Sequence, residues 1–334
     1  MEIVVGTSGF AELGRYLSRL LPEARIRFAD GAALGGLVRE ADILIPSMAR
    51  VDESVLDQAP RLLLIQQWGA GLEGVDVAAA TRRGIPVANV PTRGTGNAIS
   101  VAEWCVMAAL ALARRLDEAR ANARAGSPWG APAGLSLWGR VAGIVGLGGI
   151  GQALAPMLRA LGMRVRAVKR FPQPELARAL GLEALGSMDQ LEDLLSVSDF
   201  VFVALPVTQE TRGLIGAREL AAMKPGSYLI NAARGALVDE EALLGALDSG
   251  HLAGAALDVF AREPVPAGHP LVCHPKVLAT AHVAGVTDLS YTDIARRVAD
   301  NIRRVLAGEL PEPCVNPEVR RRGAAAGEPA GEGR

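Results

Sequence analysis

Val141-Ala-Gly-Ile-Val145-Gly146-Leu147-Gly148-Gly149-Ile150-Gly151 couples a short apolar run to a cluster of glycines, and residues with a helical pattern follow it. The apolar run suits a strand buried on both faces, so the glycines fall at a strand-to-helix turn. In that position Gly146 permits the tight turn, Gly148 lets a pyrophosphate approach the backbone, and Gly151 lets helix and strand pack closely. The amides of Gly149 and Ile150 then face phosphates at the helix N-terminus. A glycine pattern alone also fits an ordinary turn, so the flanking chain has to carry the reading. It does: further strands are expected at Val165–Val168, Phe200–Val203, Tyr228–Ile230, Gly254–Leu257 and Val277–Ala279, alternating with helical stretches. That rhythm predicts a doubly wound parallel sheet.

Toward the N-terminus the same alternation occurs on a smaller scale. Ile3–Val5, Ile26–Phe28, Ile43–Ile45, Leu62–Ile65 and Val87–Ala88 predict a first parallel layer. A helical pattern over residues 98 to 115, rich in Ala and Leu and ending in Arg114-Arg115, links the two layers, its terminal cations suiting a helix C-terminus. A last amphipathic helix is expected near Asp288 to Leu306, and residues 318–334, without a large apolar side chain after Val319, are expected to be disordered.

A chain of 334 residues is comfortable for two domains, and a hydrophobic content of 50% predicts compact cores. Lys+Arg (35) nearly cancels Asp+Glu (36), so no sequence-wide basic field exists to hold nucleic acid or anionic lipid. The longest fully apolar run resembling a membrane span, Trp104 to Ala113, falls short of the roughly 20 residues needed. The first residues read as a strand and not as a signal peptide, which makes a cytoplasmic location the expectation. Cys105, Cys273 and Cys314 are few and widely spaced, against a disulfide framework or zinc knot, and no metal cluster is evident.

Three distant frames carry chemistry: Asn231-Ala232-Ala233-Arg234-Gly235, Asp258-Val-Phe-Ala-Arg-Glu263-Pro264 and Thr280-Ala281-His282-Val-Ala-Gly285. A guanidinium can grip a carboxylate through paired hydrogen bonds, an imidazole can pass a proton near neutral pH, and a neighbouring carboxylate can hold the charged imidazole. Together with a hydride carrier, this is equipment for reducing a 2-keto acid or oxidising a 2-hydroxy acid. Arg234, Asp258 and His282 each follow an expected strand closely, where ligands of parallel sheets bind. His251, His269 and His274 lack such a frame and are read as structural or exposed.

With these motifs in hand, the chain resembles the D-isomer-specific 2-hydroxyacid dehydrogenase family over nearly all its length outside the C-terminal tail. The resemblance implies two doubly wound α/β domains: a discontinuous flavodoxin-like substrate domain, 1–97 plus 284–317, and a Rossmann cofactor domain, 98–283. It makes His282 the acid/base group, Glu263 the carboxylate that orients it and favours its charged form, and Arg234 the group that binds the substrate carboxylate and polarises the carbonyl. The family uses the amides matching Ala70 and Gly71, in Gln66-Gln67-Trp68-Gly69-Ala70-Gly71, to hold the carboxylate opposite Arg234, while Gln67 and Trp68 either line the pocket or belong to the core. Besides Gly146, Gly148, Gly149, Ile150 and Gly151, the cofactor set comprises Ser100, Leu205, Pro206, Thr211, Ala232, Ala233, Arg234, Asp258, His282 and Gly285. Asp258 matches the residue holding the nicotinamide carboxamide. Closure of the domains about hinges near Asn97, Ala98 and Val283–Thr287 is expected.

Some positions depart from the family pattern. Gly149 replaces a larger polar residue, Ala281 replaces a proline, and Lys169 and Arg170 stand where NAD enzymes carry an acidic residue for the ribose hydroxyls. Two cations suit a 2′-phosphate, so NADP(H) is the expected carrier and NAD(H) the alternative. Small 2-keto acids such as glyoxylate or hydroxypyruvate are the expected substrates. Phosphoglycerate or phosphite oxidation, or a cofactor-sensing binding protein like the co-repressors that resemble this family, are the alternatives. The irregular segment 116–138 is expected to form the arm of a homodimer.

Overall fold

The computed structural model describes residues 1–30, 33–126 and 129–319. The expected tail therefore lies, apart from its first two positions, outside the described residues, as do Ser127 and Pro128 of the expected arm. The chain separates into two compact units, one of Met1–Gly96 with Tyr291 onward and one of Asn97–Ser290. The second crossing falls at Ser290/Tyr291, seven residues beyond the sequence-based boundary at 283/284. Its cause is local: Ala284 N–H donates to Asp258 Oδ2 at 2.8 Å and Ser290 Oγ to Asn97 Oδ1 at 3.2 Å, which ties 284–290 to the second unit.

In the first unit, β1 (Glu2–Val5), β2 (Arg25–Phe28), β3 (Ile43–Ile45), β4 (Leu64–Gln66) and β5 (Val87–Ala88) form an all-parallel sheet of order β2-β1-β3-β4-β5. This is the flavodoxin-like order, with its reversal between β1 and β3. Gly6 sits at that reversal, where a Cβ would come within 2.5 Å of Pro46 O. One face of the sheet, including Ile3, Val5, Ile43 and Leu64, packs with Ile294, Ala295, Val298, Ile302 and Val305 of the helix Asp288–Leu306. The wholly buried Gln66 accepts from Asn301 Nδ2 at 2.9 Å, and Asn301 Oδ1 in turn accepts from Glu312 N–H at 2.7 Å. Further along, Asn316 accepts from Val87 N–H and donates to Thr81 and Ile85 O, so the last described segment is sewn to the edge of the sheet.

The second unit begins with the helix Gly96–Ala113. By length and composition it is apolar enough to cross a membrane, which the shorter run Trp104 to Ala113 did not suggest; 61% of it is buried within the folded chain. Its residues Val101, Ala102, Cys105, Ala108 and Ala109 share one core with Ile144, Leu154 and Phe202. The sheet of this unit contains β6 (Val141–Val145), β7 (Arg164–Val168), β8 (Ala184–Gly186), β9 (Phe200–Val203), β10 (Tyr228–Asn231), β11 (Gly254–Leu257) and β12 (Val277–Ala279). All are parallel, in the order β12-β11-β10-β9-β6-β7-β8. Counted from β6, that is the dinucleotide-binding order 3-2-1-4-5-6 with one added strand. The short edge strand β8 is absent from the sequence reading.

Replacing Asn316 by Ala should leave the buried Val87 N–H without an acceptor and lower stability by roughly 2–3 kcal/mol, seen as an earlier thermal unfolding transition.

Candidate active site

The topological reversal of the larger sheet lies between β6 and β9, and the glycine turn sits on it. Gly146 has φ +99°, and a Cβ there would lie 2.6 Å from Ala204 O, just past β9. Gly151 has no room either, since its Cβ would overlap Gly146 O, whereas Gly148 faces open space. Two glycines are thus required by packing and one leaves the backbone accessible. The helix Gly149–Ala160 starts here, and the N–H groups of Gly149, Ile150 and Gly151 donate to no described residue. Unpaired first-turn amides at the N-terminus of a three-turn helix suit a pyrophosphate, so the turn fits a dinucleotide.

The tip of β7 follows. Lys169 Nζ donates to Gln173 Oε1 at 3.0 Å, and Arg170 lies 3.9 Å from Glu210 and 5.4 Å from the Phe171 ring centre. Arg170 and Glu210 are exposed, and their pairing is weak. In the loop after β9, Thr211 Oγ1 donates to Pro206 O at 2.8 Å and accepts from Thr208 N–H at 2.7 Å, which fixes the Leu205–Thr211 turn.

Arg234, Glu263 and His282 are brought together in the same unit. Asn231, the last residue of β10, accepts from Ala233 N–H at 3.0 Å and donates to Arg234 O at 2.9 Å, holding Arg234 at the strand end, where its Nη1 donates to Ala233 O at 2.8 Å. Gly235 is buried, and a Cβ there would overlap the Phe260 carbonyl, so the Arg234 turn lies directly against the loop that carries Glu263. In that loop Phe260 N–H donates to Glu263 Oε1 at 2.8 Å, while Glu263 Oε2 contacts His282 Nδ1 at 2.7 Å. An ionised carboxylate can only accept, so Nδ1 is the protonated nitrogen in this pair.

The loop carrying His282 is held by Asp258. This residue is 1% exposed, and its carboxylate accepts from Thr280 Oγ1 at 2.5 Å and from the N–H groups of Val283 and Ala284 at 2.8 Å each. His282 N–H donates to Asp258 O at 2.8 Å. The hold matters because His282 has φ +55°, a left-handed conformation that a side chain such as histidine adopts only at a cost of about 1–3 kcal/mol. Burial pushes the Glu263 carboxyl up, but the hydrogen bond and charge of His282, the Phe260 amide and the charge of Arg234 outweigh it and hold Glu263 below the ordinary carboxylate range.

Other expected residues occupy distinct settings. Ser100 is buried, its Oγ 2.6 Å from Thr287 Oγ1, and a Cβ on Gly285 would overlap Asn97 Oδ1. Ala232 and Ala233 are buried at the end of β10. In the first unit, Ala70 and Gly71 are half-buried in the loop after β4. Trp68 packs edge-on against Tyr291 within the core, its buried Nε1 without a hydrogen-bond partner among the described residues, and Gln67 spends its carboxamide on backbone groups. His269 packs on Phe260 near Glu240, and His274 lies 3.3 Å from Asp248. The holding roles of Asn231, Thr280 and Thr287 escaped the sequence reading; Asn231 closes β10 and Thr280 directly follows β12, a polar residue at a strand end being the signal, while Thr287 directly precedes the helix Asp288–Leu306. Among the described residues no group of three or more His, Cys, Asp or Glu could hold a metal ion.

This fold and its glycine turn define a class of dinucleotide-binding α/β proteins. A family model described as D-isomer specific 2-hydroxyacid dehydrogenase, NAD binding domain, matches residues 106–284, and the chain belongs to that family. It is 40% identical to the glyoxylate reductase of Thermococcus gammatolerans, over 84% of this chain and 85% of that protein. It is 41% identical to the D-3-phosphoglycerate dehydrogenase of Mycobacterium leprae over 88% of this chain, yet spans only 55% of that enzyme. Its fold matches the NADPH-dependent glyoxylate/hydroxypyruvate reductase of Sinorhizobium meliloti, solved with NADP and malonate, at a TM-score of 0.79 and 29% identity, covering 97% of this chain and 99% of that one.

Because the folded-state pKa of Glu263 is depressed, its contribution to stability is complete above its ordinary value near 4.5 and is lost as pH falls through the lower folded value. Melting temperature followed from pH 6 to pH 3 should therefore fall less steeply for Glu263→Gln than for the unsubstituted protein.

Proposed function

We propose that this chain reduces small 2-keto acids of the glyoxylate or hydroxypyruvate type to D-2-hydroxy acids and catalyses the reverse oxidation, with NADP(H) preferred over NAD(H). The observation that carries this reading is the 2.7 Å pairing of His282 Nδ1 with Glu263 on a loop pinned by Asp258, with Arg234 close enough for its charge to act on Glu263, in a member of this family. A bound nicotinamide supplies the hydride that reaches C2.

The chain's own residues do the rest. With Nδ1 committed to Glu263, the proton on His282 Nε2 is the one delivered to the C2 oxygen as the carbonyl becomes a hydroxyl, and it returns there in the oxidation. Arg234 binds the substrate carboxylate and stabilises the negative charge developing on that oxygen. Asp258, buried and accepting three hydrogen bonds from the 280–284 loop, maintains the left-handed turn that presents the ring. Replacing His282 with Ala should lower kcat by about 10²–10⁴-fold while leaving NADPH affinity nearly unchanged. Near-normal turnover of this variant with a panel of 2-keto acids is the outcome that removes the assignment.

Support for NADP(H) comes from Lys169 and Arg170 at the tip of β7 and from the absence of a carboxylate there. The double substitution Lys169→Ala, Arg170→Ala should raise KM for NADPH about ten-fold or more and leave KM for NADH within a factor of about two. A stronger effect on NADH reverses the preference. Phosphoglycerate oxidation is the second reading, favoured by the 41% identity to the mycobacterial enzyme, although this chain matches only about half of that protein's length. A homodimer is proposed for the assembly, supported by the exposed apolar side chains Met107, Leu110, Leu116, Leu135 and Trp138 along the Gly96–Ala113 helix and the segment after it.

A further inference from the structure

The loop after β4 presents its backbone in an unusual way. Its consecutive carbonyls each accept a hydrogen bond from the sheet end beneath: Gly69 O from Val90 N–H at 2.8 Å, Ala70 O from Asn89 Nδ2 at 2.7 Å and Gly71 O from Gln67 Nε2 at 2.8 Å. The cis peptide bonds among the described residues all precede proline, so the peptide units here are trans. In a trans unit the C=O of one residue and the N–H of the next point in opposite directions. Pinning these carbonyls inward therefore turns the N–H groups of Ala70, Gly71 and Leu72 outward. None of the three donates to a described residue, and all three residues are half-exposed. Adjacent outward amides make a concave anion site.

Two of the three pins are side chains. Gln67 is 7% exposed and both of its donor hydrogens are spent: Nε2 donates to Ser47 O at 3.1 Å as well as to Gly71 O, and Oε1 accepts from Trp68 N–H at 2.9 Å. It reaches the ligand only through the loop. An apolar side chain at Gln67 or Asn89 would leave a carbonyl unpaired and free the peptide unit to rotate, and a carboxylate would repel it. We infer that Gln67 and Asn89 are positioning residues that aim the amides of Ala70, Gly71 and Leu72 at the substrate carboxylate. This rests on the proposed reduction of 2-keto acids and on the carboxylate-holding role that the family resemblance implies for Ala70 and Gly71, and it adds Leu72 N–H as a third donor.

Gln67→Met and Asn89→Leu keep size while removing the donors. For each, KM for glyoxylate and the inhibition constant of malonate should rise about ten-fold or more, with the dissociation constant of NADPH, read by its fluorescence, changed less than about two-fold. A purely structural role would instead lower the melting temperature and weaken NADPH binding in parallel, or leave KM unchanged in a folded variant, and either result overturns the inference. A measurement on the unsubstituted protein keeps the test open should a variant not fold. Amide hydrogen exchange at Ala70, Gly71 and Leu72 should be fast and should slow on adding malonate; unchanged exchange under inhibiting malonate is equally fatal to it. Comparing glyoxylate with its neutral amide separates the two levels. Equal turnover of acid and amide removes the carboxylate role of the loop itself, whereas strong preference for the acid with unaltered KM in both variants removes only the positioning role.

Discussion

The buried carboxylate of Asp258 is the interaction on which the candidate site depends. It gathers Thr280 Oγ1 and the amides of Val283 and Ala284, residues 22 to 26 positions further along the chain, while its own carbonyl takes the His282 amide. An unpaired charge at this depth would be costly, so the loop cannot leave without a large penalty. That penalty allows His282 to stay at φ +55°. The ring is then met by Glu263, and the Glu263 loop is packed against the Arg234 turn at Gly235, where a side chain has no room. Removing the Asp258 hold would release the conformation first and the pairing with it.

The same device appears in both units. After β6, glycines forced by the closeness of Ala204 and Gly146 O leave the first amides of a helix unsatisfied. After β4, the loop Gly69–Gly71 is pinned by its carbonyls and leaves its amides unsatisfied. Each lies at the carboxyl end of a parallel sheet, where ligands of such sheets bind. In both turns the open donors are set by backbone geometry fixed by neighbours, which is why small residues dominate their sequences.

Much of this was legible from residues alone. Apolar, β-branched runs marked all but one of the strands, because parallel strands buried on both faces read as continuous hydrophobic segments. The exception, β8 at Ala184–Gly186, is a three-residue edge strand with a single large apolar side chain, Leu185, and gives no such signal. The crossing at Ser290 was missed by seven residues since the helix Asp288–Leu306 reads as one continuous pattern, and only the contact of Ser290 with Asn97, 193 positions away, assigns its first turn. Arg234, Glu263 and His282 stood out by their frames. Asp258 stood out as an acid at a strand end, but its bonds to the 280–284 loop depend on how β11 and β12 pair in register, Leu257 opposite Ala279, and no local pattern contains that. The burial of Trp68 against Tyr291 likewise joins residues that sequence spacing cannot relate.

The interleaving of the two units also sets an order of assembly. Every strand and helix of the second unit lies in one uninterrupted stretch, Asn97–Ser290, so its sheet has all its parts as soon as that stretch has left the ribosome. The first unit has its five strands much earlier, yet one face of its sheet waits for Ile294–Val305, and its buried Gln66 and the Val87 amide wait for Asn301 and Asn316. During synthesis the N-terminal strands are therefore an apolar surface in need of shielding for roughly two hundred residues of elongation, at about 5–20 residues per second a delay of some tens of seconds. The part of the chain made first is the part finished last.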